Sequence, residues 1–168
     1  MFGYTRTTRT CPVSQIHSSL SQGVRDFFQG HQVGDPGMDT FLCCETIAWR
    51  DAPPRLISWL DGNSDTKIYL AMVLTPEWLV WARSGDQTGS IVTGAKLQVI
   101  KVKAFVRRNS KDMELEITGF IAGSKEYVRG NLEMGPEPAA QKFCDTVLQA
   151  VNEAKPPVKK KFFGLING

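Results

Sequence analysis

Between residues 41 and 134 the hydrophobic pattern runs largely at a period of two, in short β-type runs cut by turn formers, and this succession most restricts the possible fold. Residues 41–49 read as a strand. A second short run, 56–60, follows the Pro53-Pro54 interruption, and the DGNSDT segment at 61–66 is dense in turn residues. Next come KIYLAMVL at 67–74 and WLVWA at 78–82, separated by Thr75-Pro76-Glu77, and then GDQTG at 85–89 turns the chain into IVTGAKLQVIKVKAFV. After the polar loop 107–112, residues 113–121 alternate, with Glu114 and Glu116 on one face and Leu115 and Ile117 on the other. GSKE at 123–126 turns the chain into the run 127–134. Sequential antiparallel pairing is the simplest topology for such a series.

Helical patterns flank the β-rich block. Val13, Ile16, Leu20, Val24, Phe27 and Phe28 recur at steps of three and four, which predicts a helix over 12–29 with Pro12 at its first position and Gly30 ending it. Its opposite face is polar, so it is expected to dock on the body or to reach a neighbouring copy. Ala140, Phe143, Cys144, Val147, Leu148 and Val151 form a second stripe over 136–154, stopped by Pro156-Pro157. Three units follow: an N-terminal arm, helix and linker at 1–39, a β-rich domain at 40–154 and a basic tail at 155–168.

The length of 168 residues suits one globular domain that buries about 70% of its unfolded surface without a disulfide or metal. No apolar run approaches a membrane span and the N-terminus has no signal-like apolar region, so a cytoplasmic protein is expected, either free or peripheral at the membrane. The net charge of +3 is concentrated at the ends. Arg6 and Arg9, then Lys155, Lys159, Lys160 and Lys161, stand without nearby acids and leave the body between them at −3. Nucleic acid is therefore not an expected partner.

Cys11, Cys43, Cys44 and Cys144 make no CxxC, and His17 and His31 lie far apart, so neither a metal nor a cofactor is predicted. Cys43 and Cys44 adjoin in a strand and point to opposite faces, one thiol inward and one outward. Trp78 and Trp81 also fall on opposite faces, one in the core and the other either at a contact surface or half covered by the first helix. No convergent nucleophile, base or carboxylate pair is visible, which favours a non-catalytic binding or assembly module. The alternative is a cysteine-dependent enzyme or redox protein using Cys44 with His17 or His31. Lys159, Lys160 and Lys161 beside Phe162 and Phe163 suit an anionic membrane surface or a protein partner, since each lysine near such a surface contributes about 1 kcal/mol.

The strand series with its closing helix resembles the pleckstrin-homology-like superfamily, in particular its bacterial PH-like and GRAM-like domains. The resemblance is carried by KIYLAMVLTPEWLVWA with Leu74, Thr75 and Leu79, by the strand beginning Ile91-Val92 and passing through 97–99, and by FCDTVLQAV, over roughly 40–154. It implies a mainly β, α+β fold: a partly open antiparallel barrel of about seven strands, a C-terminal capping helix and an added N-terminal helix. It also implies lipid or protein binding, and homo-oligomers in some members. Around the first hairpin the chain offers Arg50, Arg55 and Lys67 against Asp51, Asp61 and Asp65, short of the aligned cations that inositol phosphates need.

Overall fold

A computed structural model describes residues 4–34, 41–51 and 65–155. Its strands are β1 (Tyr4–Thr10), β2 (Leu42–Arg50), β3 (Lys67–Leu74), β4 (Trp78–Gly85), β5 (Ile91–Lys96), β6 (Ile100–Val106), β7 (Met113–Phe120) and β8 (Tyr127–Met134). Helix α1 spans Ser18–Gly30 and helix α2 spans Pro138–Glu153. Two antiparallel sheets result, a five-stranded one in the order β1-β2-β3-β4-β5 and a three-stranded one in the order β6-β7-β8. The fold is thus β-rich α+β, with no closed barrel among the described residues. The run expected at 56–60 lies outside them, as does the basic tail from 156 onward with Lys159, Lys160, Lys161, Phe162 and Phe163.

The strands of the sequence series pair in order, but three features depart from expectation. The first is β1, expected as an arm. It pairs along its whole length with β2, from Tyr4 opposite Arg50 to Thr10 opposite Cys44, and raises the described strands to eight. Its sequence, YTRTTRT, has the β-branched residues of a strand but no apolar alternation, because its inward side chains are Arg6 and Thr8. Both find polar partners distant in sequence, described below. The N-terminal arginines therefore belong to the body and offset its acids.

The second departure is the start of α1. Val13–Gln15 form a separate 3-10 turn, and the helix begins at Ser18 with His17 as its cap, Nδ1 accepting from the Ser19 N–H at 3.3 Å. The break is fixed from outside the segment, since Glu45 Oε1 accepts the His17 backbone N–H at 2.6 Å. The apolar stripe survives the break: Val13, Ile16, Leu20, Val24 and Phe28 are all buried. The helix packs on its own sheet, against β3, β4 and β5.

The third is a corner inside what reads as one long run. A single 3-10 turn, Leu97–Val99, separates β5 from β6 and carries the chain from one sheet to the other. Opposite the corner, Gly119 pairs with Ile100 at φ +152°, and a Cβ there would stand 2.5 Å from the Val99 carbonyl oxygen. Only glycine fits so close a backbone approach.

The five-stranded sheet is packed on both faces, under α1 on one and in part under the second sheet and α2 on the other, which explains why β3 is apolar almost throughout instead of alternating. Val73, Ala71, Val80 and Cys43 face α1. Met72, Leu74, Leu79 and Cys44 face the second sheet and α2, whose Ala140, Phe143, Cys144, Val147 and Val151 complete that core. Cys43 and Cys44 do take opposite faces, but neither is outward: both are buried, at 1% and 0% exposure.

Candidate functional site

The face of the five-stranded sheet that meets the second sheet is only half covered. Beyond Met72 and Leu79 the floor continues through Ala48, Ile68, Leu70 and Trp81 into an open cleft of about 1260 Å³ between this sheet and the β6–β7 turn. Register sets the floor: Thr46 stands opposite Leu70, Leu70 opposite Arg83 and Arg83 opposite Ile91, all on one face. Leu132 lines the cleft from β8. At its mouth Ile91, Phe105 and Val106 are exposed at 68%, 42% and 53%, which makes an apolar rim.

One wall is a network of charges joining β1 to the second sheet. Arg6 Nη1 donates to Asp112 Oδ2 at 2.9 Å and its Nη2 donates to Glu133. Arg107 pairs with Glu114 at 3.2 Å and with the other oxygen of Glu133 at 3.0 Å. Glu114, on the polar face of β7, is 5% exposed beneath Arg107, whereas Glu116 pairs with the exposed Arg129. Three carboxylates thus meet two arginines, so both cations of this wall are committed and the wall keeps a net negative charge. Just beyond it, Thr8 Oγ1 accepts the Gly135 N–H at 2.7 Å and shares a hydrogen bond with Thr46 Oγ1 at 2.8 Å, while the Thr8 N–H donates to Glu137 at 2.8 Å. These bonds pin β1 to the start of α2.

Two further guanidiniums line the cleft, Arg83 from β4 and Arg108 from the β6–β7 turn. Both are exposed, and neither forms an ion pair or hydrogen bond among the described residues. The cleft therefore combines an apolar floor, an apolar rim and two uncommitted cations.

The other sequence-derived candidates separate. Trp78 and Trp81 lie on opposite faces as the alternation requires: Trp78 meets Phe27 edge-on at 5.8 Å under α1, and Trp81 is half-buried in the cleft floor. Cys44 sits in the inter-sheet core, where burial pushes its thiol up to about 12, and Cys144 behaves alike. His17 lies across the sheet, stacked on Tyr69 at 3.6 Å between ring centres, and His31 stacks on Phe27 at the far end of α1. Cys44 and the histidines are thus not brought together. No group of three His, Cys, Asp or Glu among the described residues is placed to hold a metal ion. No described helix is long and apolar enough to cross a membrane.

Sequence reasoning missed the cleft, and the only local signals were Arg83 within an apolar strand and the exposed Phe105-Val106 pair before RRNSKD. No family model matches the chain, and no curated protein or solved structure does so either.

Proposed function

We propose that the protein is a non-catalytic binding module of the pleckstrin-homology-like type, and that its ligand is an anionic amphiphile seated in the cleft between the two sheets. The observation that carries this reading is the pairing, in one cavity, of uncommitted Arg83 and Arg108 with the apolar surface of Leu70, Trp81, Ile91 and Phe105. A headgroup carboxylate or phosphate would take charge-assisted hydrogen bonds from the guanidiniums while an acyl chain covers the floor and rim. The two-sheet order followed by a C-terminal helix supports the family resemblance. The inositol-phosphate cluster is not required, because the cations here come from β4 and the β6–β7 turn.

Trp81 provides the readout. Laurate, titrated below its micelle concentration, is expected to change tryptophan emission saturably, and Trp81→Phe should remove most of that change. Arg83→Gln together with Arg108→Gln should weaken binding about tenfold or more and leave stability within about 0.5 kcal/mol, since both side chains are exposed. Saturable binding that both arginine changes leave intact would overturn the cleft assignment. The basic tail is separated by a second arm with anionic vesicles: if Lys159, Lys160 and Lys161, all changed to Gln in the full chain, abolish vesicle binding while laurate still binds, the tail and not the cleft engages membranes.

A further inference from the structure

The covered face of the five-stranded sheet holds a pair of thiols that the cleft does not use. Thr10 stands opposite Cys44, so the next position along the β1–β2 ladder sets Cys11 opposite Cys43, and the Cys11 N–H donates to the Cys43 carbonyl at 3.2 Å. Directly opposed antiparallel residues have Cα atoms about 4.5–5.5 Å apart, inside the 4.4–6.8 Å window of a disulfide. Alternation sends both side chains to the same side, into one apolar cluster beneath α1 with Val13 and Ile16. There the two thiols are cross-strand neighbours. Pro12, which has no N–H to donate, ends the ladder immediately after Cys11 and leaves that end of the strand free of further pairing.

The pair is asymmetric. Cys11 is the more accessible, at 6% against 1% for Cys43. The neighbouring Cys43 thiol holds the Cys11 thiol below its ordinary range against the opposing pull of burial, with Arg9 adding to the lowering and Glu45 resisting it. Cys43 is pushed far up by the adjacent Cys11 and by burial. The more accessible sulfur, with its lowered thiol, is the one an oxidant meets first. Cys44 and Cys144 lie on the other side of the sheet and are both raised.

We propose that Cys11 and Cys43 are an oxidation-sensitive thiol pair that closes to an intramolecular disulfide when the protein meets a hydroperoxide. The Cys11 thiolate attacks the terminal oxygen of the hydroperoxide and the O–O bond breaks. Cys11 becomes a sulfenic acid, and the departing oxyanion takes the thiol's proton and leaves as water or an alcohol. The Cys43 sulfur then attacks the Cys11 sulfur, the S–O bond breaks, and the hydroxyl leaves with the Cys43 proton as a second water. Two electrons pass from the sulfurs to the peroxide, and the new bond loops off the segment that contains α1.

The test is to treat the native full-length chain with hydrogen peroxide, quench with an alkylating reagent and map the peptides. A Cys11–Cys43 link with a loss of two mass units is expected, together with a rise in Tm of about 5 °C or more that dithiothreitol reverses. Cys11→Ser and Cys43→Ser should each abolish the link, and Cys44→Ser should leave it. Because core cysteine variants can fail to fold, the wild-type chain supplies a second measure: the link should form at least tenfold faster in buffer than in concentrated urea, where the register is lost. Four intact thiols, Cys11 carried on to a sulfinic acid, a link between other cysteines, or equal rates in urea would each overturn the proposal.

Discussion

The two faces of the five-stranded sheet are built from the same five strands and reach opposite outcomes. Under α1, Leu20, Val24 and Phe28 are buried at 0–1% exposure and the contact is closed to the atom. A Cβ on Gly23 would stand 2.6 Å from Val92, and one on Gly94 would stand 2.5 Å from the ring of Phe27, so helix and sheet meet through these two glycines. On the other face α2 and the second sheet cover only the half that holds Met72, Leu79 and Cys44. The remaining half, with Leu70, Trp81 and Arg83, is left as the cleft. One helix can seal one sheet face along a straight stripe. A second sheet that turns away at the Leu97–Val99 corner does not, and among the described residues the wedge between them stays open.

The sharpest way to break this comparison is to remove one large ring from each face. Phe28→Ala should cost about 3–5 kcal/mol, the range for a fully buried ring, measured by the denaturant midpoint. Trp81→Ala should cost less than half as much, because its ring already faces the cavity, while it removes laurate binding. Equal costs would make the cleft an extension of the core.

A smaller effect is expected where the covered half meets the open one. Thr8→Val keeps the shape but leaves the Gly135 N–H and the Thr46 hydroxyl without their partner, a loss of about 1–3 kcal/mol. Thr7→Val, next along the strand and exposed, should change stability by less than about 0.5 kcal/mol. If the two substitutions prove equivalent, β1 is not pinned to α2 through Thr8.

The smallest effect lies at the β4–β5 turn beside the rim. Burial acts to raise the Asp86 carboxyl, but hydrogen bonds from the Thr66 hydroxyl and the Thr66 and Lys67 N–H groups outweigh it and hold the group below its ordinary 3.8. A depressed folded value means that the contribution to stability is present above the unfolded value and is lost as pH falls through the folded one. Asp86→Asn should accordingly lower Tm slightly near pH 7, and the difference should vanish in acid once the wild-type carboxylate is protonated. A difference that persists in acid would assign the effect to packing.

Local periodicity alone determined much of the architecture. The runs 67–74 and 127–134 and the stripe through Ala140, Phe143, Val147 and Val151 coincide with β3, β8 and α2, because burying one face imposes a period that neighbouring residues record. The opposed faces of Trp78 and Trp81 follow from the same alternation. What only the tertiary structure decided are features whose partners are distant in the chain. Tyr4–Thr10 is a strand because Arg6 and Thr8 find Asp112, Glu133 and Gly135 across the sheets, and no pattern within YTRTTRT records those partners. Neither the approach of Cys11 to Cys43 nor the burial of both Cys43 and Cys44 is visible locally, since each depends on pairing register and on what covers the second face. The cleft is furthest from the sequence of all, because a cavity is set by where packing stops, and no single segment encodes that.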